Sequence, residues 1–148
     1  MILAVDPGTE QSGWCHFSGG EVLDSGVLSN SELLLFFGQH HYPYILAIEM
    51  VASYGMPVGR EVFETCVWIG RFKQAWYKPD EVRLVYRRDV KLALCGSMKA
   101  KDANIRQALI DKLGPVGTKK APGPLYGVKS HAWAAVAVAA VLGEQAMR

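Results

Sequence analysis

The chain has 148 residues, a net charge of +2 and three cysteines, and half of its residues are apolar. This length is typical of one domain, so we expect a single domain across residues 1–148. No apolar segment approaches the ~18 residues that a membrane-spanning helix needs, and the first apolar run is too short for a signal peptide. An odd number of cysteines without a CxxC pair argues against a disulfide framework or a zinc site and favours the cytoplasm.

The charge is unevenly distributed along the chain. Between residues 87 and 129 there are ten basic and three acidic residues, a net charge of +7, which leaves about −5 for the rest. A basic segment of this kind is typical of proteins that bind a polyanion. The alternative is an ordinary solvated surface.

Three strands are predicted at the start of the chain. The apolar run over residues 2–6 predicts a buried strand that ends at Asp6. Residues 13–17 and 21–28 predict two more strands, and Gly19-Gly20 between them is a hairpin signal. We therefore expect these three strands to form an antiparallel meander.

Helices and strands alternate over the remainder of the chain. Asn30 or Ser31 is predicted to cap a short helix that ends near residue 38, and residues 44–50 predict an apolar strand with Glu49 near its end. The later elements are a helix over residues 60–77, a strand over 81–86, helices over 87–96 and 102–114, a loop over 114–129 that is rich in Gly, Pro and Lys, and an apolar helix over 130–147. This order predicts an α/β fold, with a mixed sheet of a meander plus parallel strands flanked by helices.

Two acidic residues occupy matching positions in two of the predicted strands. Asp6 and Glu49 are each the first acid after a run of apolar residues. If the strands are neighbours, the carboxylates converge at one edge of the sheet, where they repel each other unless a divalent cation binds between them. His131 could supply a third ligand from the start of the last helix. The alternatives are that the two acids bond turn and loop amides and that His131 is an ordinary surface or core histidine.

Several stretches resemble, in order, the RuvC family of Holliday-junction resolvases, which have a ribonuclease H-like fold. AVDPGTEQSGW is similar to that family's first strand, LAIEMV to the strand that bears the catalytic glutamate, and VFETCVWIGRF to the long helix that follows. VYRRDVKLALCGSMKAKDANIRQAL resembles its next strand, Arg-x-Val-Lys segment and lysine-bearing helix start, and HAWAAVAVA resembles its C-terminal helix. GMPVGREVFETC and PGPLYGVKSHAW look closest to phage-encoded members. The resemblance implies the family's five-stranded sheet.

The resemblance also implies a set of catalytic residues. Asp6 matches the first metal ligand, Glu49 the second carboxylate, and His131 a ligand position that holds Asp or His in the family. Lys101 matches a lysine that assists near the scissile phosphate. The implied cofactor is Mg²⁺, with Mn²⁺ as the alternative because imidazole suits it better; no organic cofactor is implied.

The chain departs from the family pattern at one position. Ala134 stands where the family commonly has an Asp, one turn after the His131 position. Asp102 and Glu64 are the candidates to replace that acid, and Asp102 is included in the predicted catalytic set. The alternatives are that both are ordinary helix acids, that this subfamily works with fewer carboxylates, or that the chain is an inactivated variant.

The implied function is resolution of branched DNA. A metal-dependent endonuclease of this kind makes paired symmetric nicks in four-way junctions and leaves 5′-phosphate and 3′-hydroxyl ends, in the cytoplasm of a bacterium or a phage-infected cell. The two-fold symmetry of the junction implies a homodimer, and the large apolar residues of the helix over 60–77 are either part of the dimer contact or core. The expected phosphate contacts are Arg87, Arg88, Lys119, Lys120 and Lys129. The alternatives are a less selective ribonuclease H-like or flap nuclease and a catalytically inactive junction-binding protein.

Overall fold

A computed structural model describes residues 1–39 and 43–146 of the chain. Within these residues the strands are β1 (Ile2–Asp6), β2 (Gln11–Ser18), β3 (Glu21–Ser29), β4 (Ile45–Met50) and β5 (Arg83–Tyr86). The helices are α1 (Asn30–Phe37), α2 (Arg60–Ala75), α3 (Arg87–Cys95), α4 (Asp102–Leu113) and α5 (Ala132–Ala146). The predicted elements are all present, with shifts of a few residues at their ends.

The five strands form one mixed sheet in the order β3-β2-β1-β4-β5. The first three strands pair antiparallel, whereas β1 with β4 and β4 with β5 pair parallel. The predicted meander and parallel strands are therefore confirmed. Strand β1 lies in the centre of the sheet, so its carboxyl end is flanked by both β2 and β4.

Helices cover both faces of the sheet, which explains why β1 reads as a continuous apolar run. Ile2 and Ala4 point to one face and belong to a core formed with α3, α4 and α5. Leu3 and Val5 point to the other face and pack in a second core with α1 and α2. Helix α5 is buried against the sheet along most of its length. None of the described helices is both long and apolar enough to cross a membrane.

The start of α1 differs from the prediction. Its N-cap is Ser29 and not the predicted Asn30 or Ser31, because Ser29 and Glu32 form a reciprocal capping box. The side chain of Asn30 is fully buried and bonds the loop after β1 instead.

The ends of other elements also shift. The strand predicted from residue 81 begins at Arg83, because Pro79–Glu81 forms a 3₁₀ turn. Helix α2 ends at Ala75. Helix α5 begins at Ala132, so His131 lies in the turn just before it.

Candidate active site

The carboxylates of Asp6 and Glu49 lie together at one edge of the sheet. Strands β1 and β4 are parallel and in register up to the pair Val5 and Ile48, so the next residue of each strand is the acid. Both side chains are mostly buried, with 19% of Asp6 and 10% of Glu49 exposed. They line an open cavity of about 910 Å³. The predicted convergence of the two acids is confirmed.

The turn after Asp6 is held by other side chains. The amide of Gly8 donates to the hydroxyl of Ser12, which donates in turn to the Oδ1 of Asn30 at 2.6 Å. The amide nitrogen of Asn30 donates to the carbonyl of Gly8, which closes the ring of bonds. Because these buried groups satisfy the turn, the Asp6 carboxylate is left to face the cavity.

His131 approaches Asp6 from the turn before α5. Its Nδ1 lies 3.4 Å from the Oδ2 of Asp6, and its side chain is 60% exposed. The backbone is brought close by Gly13, which pairs with Asp6 in the sheet, because a Cβ at Gly13 would lie 2.3 Å from the His131 carbonyl oxygen. Ser130 has a φ of 50°, an uncommon conformation for a residue other than glycine, just before His131.

Arg87 contacts two acids in the same cavity. It is the first residue of α3, and its Nη1 lies 3.8 Å from the Oε1 of Glu49. Its Nη2 donates a hydrogen bond to the Oδ1 of Asp102, the first residue of α4. Arg87 is thus wedged between a buried carboxylate and one that is 89% exposed.

Burial disfavours the charged forms of the two strand-end acids. Desolvation, together with the charge of Asp6, raises the pKa of Glu49 to about 7, although Arg87 opposes the shift. Burial also raises the pKa of Asp6, and the neighbouring His131 and Arg87 act in the opposite direction. The nearby cationic groups therefore do not outweigh the effect of burial on the pKa of either carboxyl.

The acid pair fits a hard divalent cation, but the predicted three-ligand set is not assembled. Among the residues that the structure describes, no three His, Cys, Asp or Glu side chains lie close enough together to hold a metal ion. Arg87 contacts Glu49, whereas His131 contacts Asp6. The Oε2 of Glu49 is nevertheless buried and has no hydrogen-bond partner within the described ranges. A carboxylate pair with an unused oxygen is a donor set that suits Mg²⁺ or Mn²⁺.

The two candidates to replace the acid absent at Ala134 lie in different places. Ala134 lines the cavity, as does Asp102. Glu64 does not line it; on α2 its carboxylate forms an ion pair with Arg60 at 2.5 Å. Glu64 lies elsewhere because α2 packs on the face of the sheet opposite to α4 and α5.

The predicted basic residues are only partly brought together. Arg87 and Lys129 line the cavity. Lys119 and Lys120 are exposed at the tip of a tight turn, in which Thr118 and Ala121 exchange two hydrogen bonds. Two further residues do not line the cavity: Arg88, which is exposed on α3, and Lys101, the N-cap of α4.

Two cavity residues were missed by the sequence analysis. The guanidinium of Arg106 lies 4.5 Å from the ring centroid of Trp133, and both side chains line the cavity. Trp133 follows His131 by two residues within an apolar stretch, so its pattern indicates only core. Arg106 is one of the ten basic residues between residues 87 and 129, but it belongs to no motif that would single it out.

The comparisons identify the fold. No protein-family model matches the chain, and no curated protein matches its sequence. The structure of Thermus thermophilus RuvC in complex with a Holliday junction substrate matches with a TM-score of 0.68 and 19% identity, covering 98% of this chain and 93% of that one. A second structure of Thermus thermophilus RuvC has the same TM-score and identity and covers 99% and 95%. The chain therefore has the ribonuclease H-like fold of RuvC.

Proposed function

We propose that this chain is a metal-dependent endodeoxyribonuclease that resolves four-way and branched DNA junctions. The observation that carries the proposal is the convergence of Asp6 and Glu49 at the ends of adjacent parallel strands, in a cavity that also holds basic side chains. One of the similar structures is Thermus thermophilus RuvC in complex with a Holliday junction substrate. The stretches that resemble the same family point to the same function, and we propose in addition that the chain is closest to phage-encoded members.

Asp6 and Glu49 are the residues that would hold Mg²⁺ or Mn²⁺. A bound divalent cation supplies an activated water and neutralises charge at the scissile phosphate. His131, beside Asp6, fixes the orientation of that carboxylate. Lys129, whose side chain lines the same cavity, binds a phosphate oxygen of the strand. Lys101 and the exposed Arg88, which do not line the cavity, are proposed to contact other phosphates of the DNA.

The reaction is hydrolysis of a phosphodiester. The oxygen of water forms a bond to phosphorus while the bond between phosphorus and the 3′ oxygen breaks. The leaving oxygen takes a proton and becomes a 3′-hydroxyl, and the phosphate stays on the 5′ end. Such ends can be rejoined by a ligase, which suits an enzyme that separates junctions without losing nucleotides.

The proposed active form is a homodimer. A four-way junction has two-fold symmetry, so a C2 dimer places two copies of the site against strands of like polarity. On α2 the apolar side chains of Phe63 and Val67 are 63% and 62% exposed. Exposed apolar side chains one turn apart on a helix favour contact with a second copy. We expect this enzyme to act in the cytoplasm of a bacterium or a phage-infected cell.

The test is cleavage of a labelled four-way junction beside a duplex of matched sequence and an RNA–DNA hybrid. We expect paired nicks in the junction that require Mg²⁺ or Mn²⁺, stop in EDTA, and fall at least ~10³-fold in Asp6→Asn. Asp111→Asn is the matched control, because Asp111 is exposed on α4 and bonds Gln107 outside the cavity.

Two results would contradict the proposal. Equal cleavage of all three substrates would indicate a less selective ribonuclease H-like or flap nuclease. Tight junction binding without any nicks would indicate an inactive junction-binding protein, and Ala134→Asp would then test whether the absent acid is the reason.

A further inference from the structure

Arg87 occupies an unusual position for a residue expected to bind DNA. Its side chain is only 27% exposed and lies inside the cavity, whereas Arg88 beside it is exposed. One end of its guanidinium faces the Oε1 of Glu49 at 3.8 Å, and the other donates to Asp102. Among the described residues, Arg87 therefore forms ion pairs with two acids of the same cavity.

The position of Arg87 bears directly on Glu49. A guanidinium beside a buried carboxylate supplies the positive charge that a divalent cation would otherwise supply. A cation that binds Glu49 therefore meets repulsion from Arg87, unless the guanidinium shifts toward its other partner. Asp102 is that partner, and its exposure leaves room for the pair to move into solvent.

We propose that Arg87 is an internal counter-cation of Glu49 that competes with the divalent cation, and that Asp102 positions Arg87 rather than binding the metal. This inference rests on the proposed function in one respect, namely that Glu49 is a metal ligand. It assigns Asp102 a role different from replacement of the acid absent at Ala134. It also removes Arg87 from the set of simple phosphate contacts.

The first test is the affinity for Mn²⁺, measured by calorimetry on the full chain without DNA. Arg87→Met removes the competing charge and keeps much of the side-chain volume, so we expect affinity to rise by about tenfold. Arg88→Met is the matched control, because its exposed side chain is screened by salt and should change affinity by about twofold or less. In EDTA, Arg87→Met should lower the melting temperature, because Glu49 then loses its only described ion-pair partner.

The second test separates a positioning role of Asp102 from a ligand role. Asp102→Asn should weaken Mn²⁺ binding by about threefold, the size expected for an exposed ion pair, because Arg87 is released onto Glu49. In the Arg87→Met background the same substitution should have no effect, since there is no guanidinium left to position. Asp111→Asn serves as the control for the loss of one exposed acid on α4.

The outcomes distinguish this inference from the proposed function. A loss of tenfold or more on Asp102→Asn in both backgrounds would make Asp102 a ligand and overturn the inference. Unchanged Mn²⁺ affinity in Arg87→Met would overturn it as well, even if the junction is cleaved. Conversely, tighter Mn²⁺ binding by Arg87→Met together with no junction cleavage by any variant would leave the inference standing and remove the proposed function.

Discussion

At the scale of single residues, the site is built from groups that the fold holds at a cost. Glu49 and Asp6 are buried side by side, and burial raises the pKa of each carboxyl. The Oε2 of Glu49 lacks a hydrogen-bond partner among the described residues. Buried charge of this kind lowers the stability of the protein without a metal ion. A bound cation offsets this loss of stability.

Replacing Glu49 by Gln should therefore stabilise the protein in EDTA. Above neutral pH the wild-type side chain is ionised, whereas Gln carries no charge to bury, so we expect a rise of about 1–2 kcal/mol in the free energy of unfolding, or ~3–6 °C in melting temperature. Saturating Mg²⁺ should raise the melting temperature of the wild type and leave Glu49→Gln nearly unchanged. Melting curves at pH 8 test this, and a larger Mg²⁺ effect in the variant would contradict it.

Cys15 should behave as an inert core thiol. It is fully buried in β2, and burial raises its pKa from 9.0 to about 12. Iodoacetamide at pH 8 should modify the partly exposed Cys66 and Cys95 in the folded protein but reach Cys15 only after denaturation. Peptide mass mapping of the labelled sites measures this, and modification of Cys15 in the native state would contradict its placement.

The same shift gives a dependence of stability on pH. Because the native thiol holds its proton up to a higher pH than the unfolded one, the contribution of Cys15 to stability is constant below pH 9. It falls as the pH rises from 9 toward 12. A Cys15→Ala variant, compared with the wild type by denaturant unfolding at pH 8 and pH 10, should lose less stability between the two.

At the scale of elements, close backbone contacts decide where the side chains of the site stand. Strand β2 meets the turn before α5 at Gly13, and this contact places His131 beside Asp6. The loop after β1 takes its shape from the buried bonds among Gly8, Ser12 and Asn30. Small and polar residues thus position the edge of the sheet that carries Asp6 and Glu49.

Gly13→Ala should disrupt this contact. The added Cβ would lie 2.3 Å from the carbonyl oxygen of His131, so β2 or the start of α5 must shift, at about 2–4 kcal/mol of stability. Gly70→Ala is the matched control, because a Cβ there meets nothing within 4 Å and Ala favours the helix. Chemical denaturation measures both variants. Equal stability of Gly13→Ala and the wild type would contradict the close approach of His131.

The sequence predicts the elements and the acid pair well but not the contacts between distant segments. Asp6 and Glu49 were identified because each ends an apolar strand, and the parallel pairing of β1 with β4 brings them together. The contact of Arg87 with Asp102 was not predicted, because it depends on how the starts of α3 and α4 meet in space. Ser29 was missed as the cap of α1 because its neighbour Asn30 is an equally good cap by residue type.

At the scale of the whole molecule, the fold is established by similarity to solved structures, whereas the activity is a proposal that rests on the residues of the site. The similarity to RuvC covers 98% of this chain at 19% identity, so it establishes the fold of the described residues. Because a fold does not determine an activity, the chemistry depends on the residues of the site. The basic segment over residues 87–129 contributes Arg87 of α3 and Arg106 of α4 to the lining of the cavity, and it also carries the exposed turn with Lys119 and Lys120. The exposed apolar side chains of α2 provide the surface on which a second copy is proposed to pack.

The proposed function requires that two copies of the Asp6 and Glu49 site cut a four-way junction together. The most direct measurement is cleavage of a supercoiled plasmid that extrudes a cruciform, in Mg²⁺, with the ratio of linear to nicked product followed over time. Two coordinated nicks across the junction give linear plasmid at the first observable times, and this product should vanish in Asp6→Asn. Nicked circles that accumulate first, or cleavage that persists in Asp6→Asn, would contradict the claim.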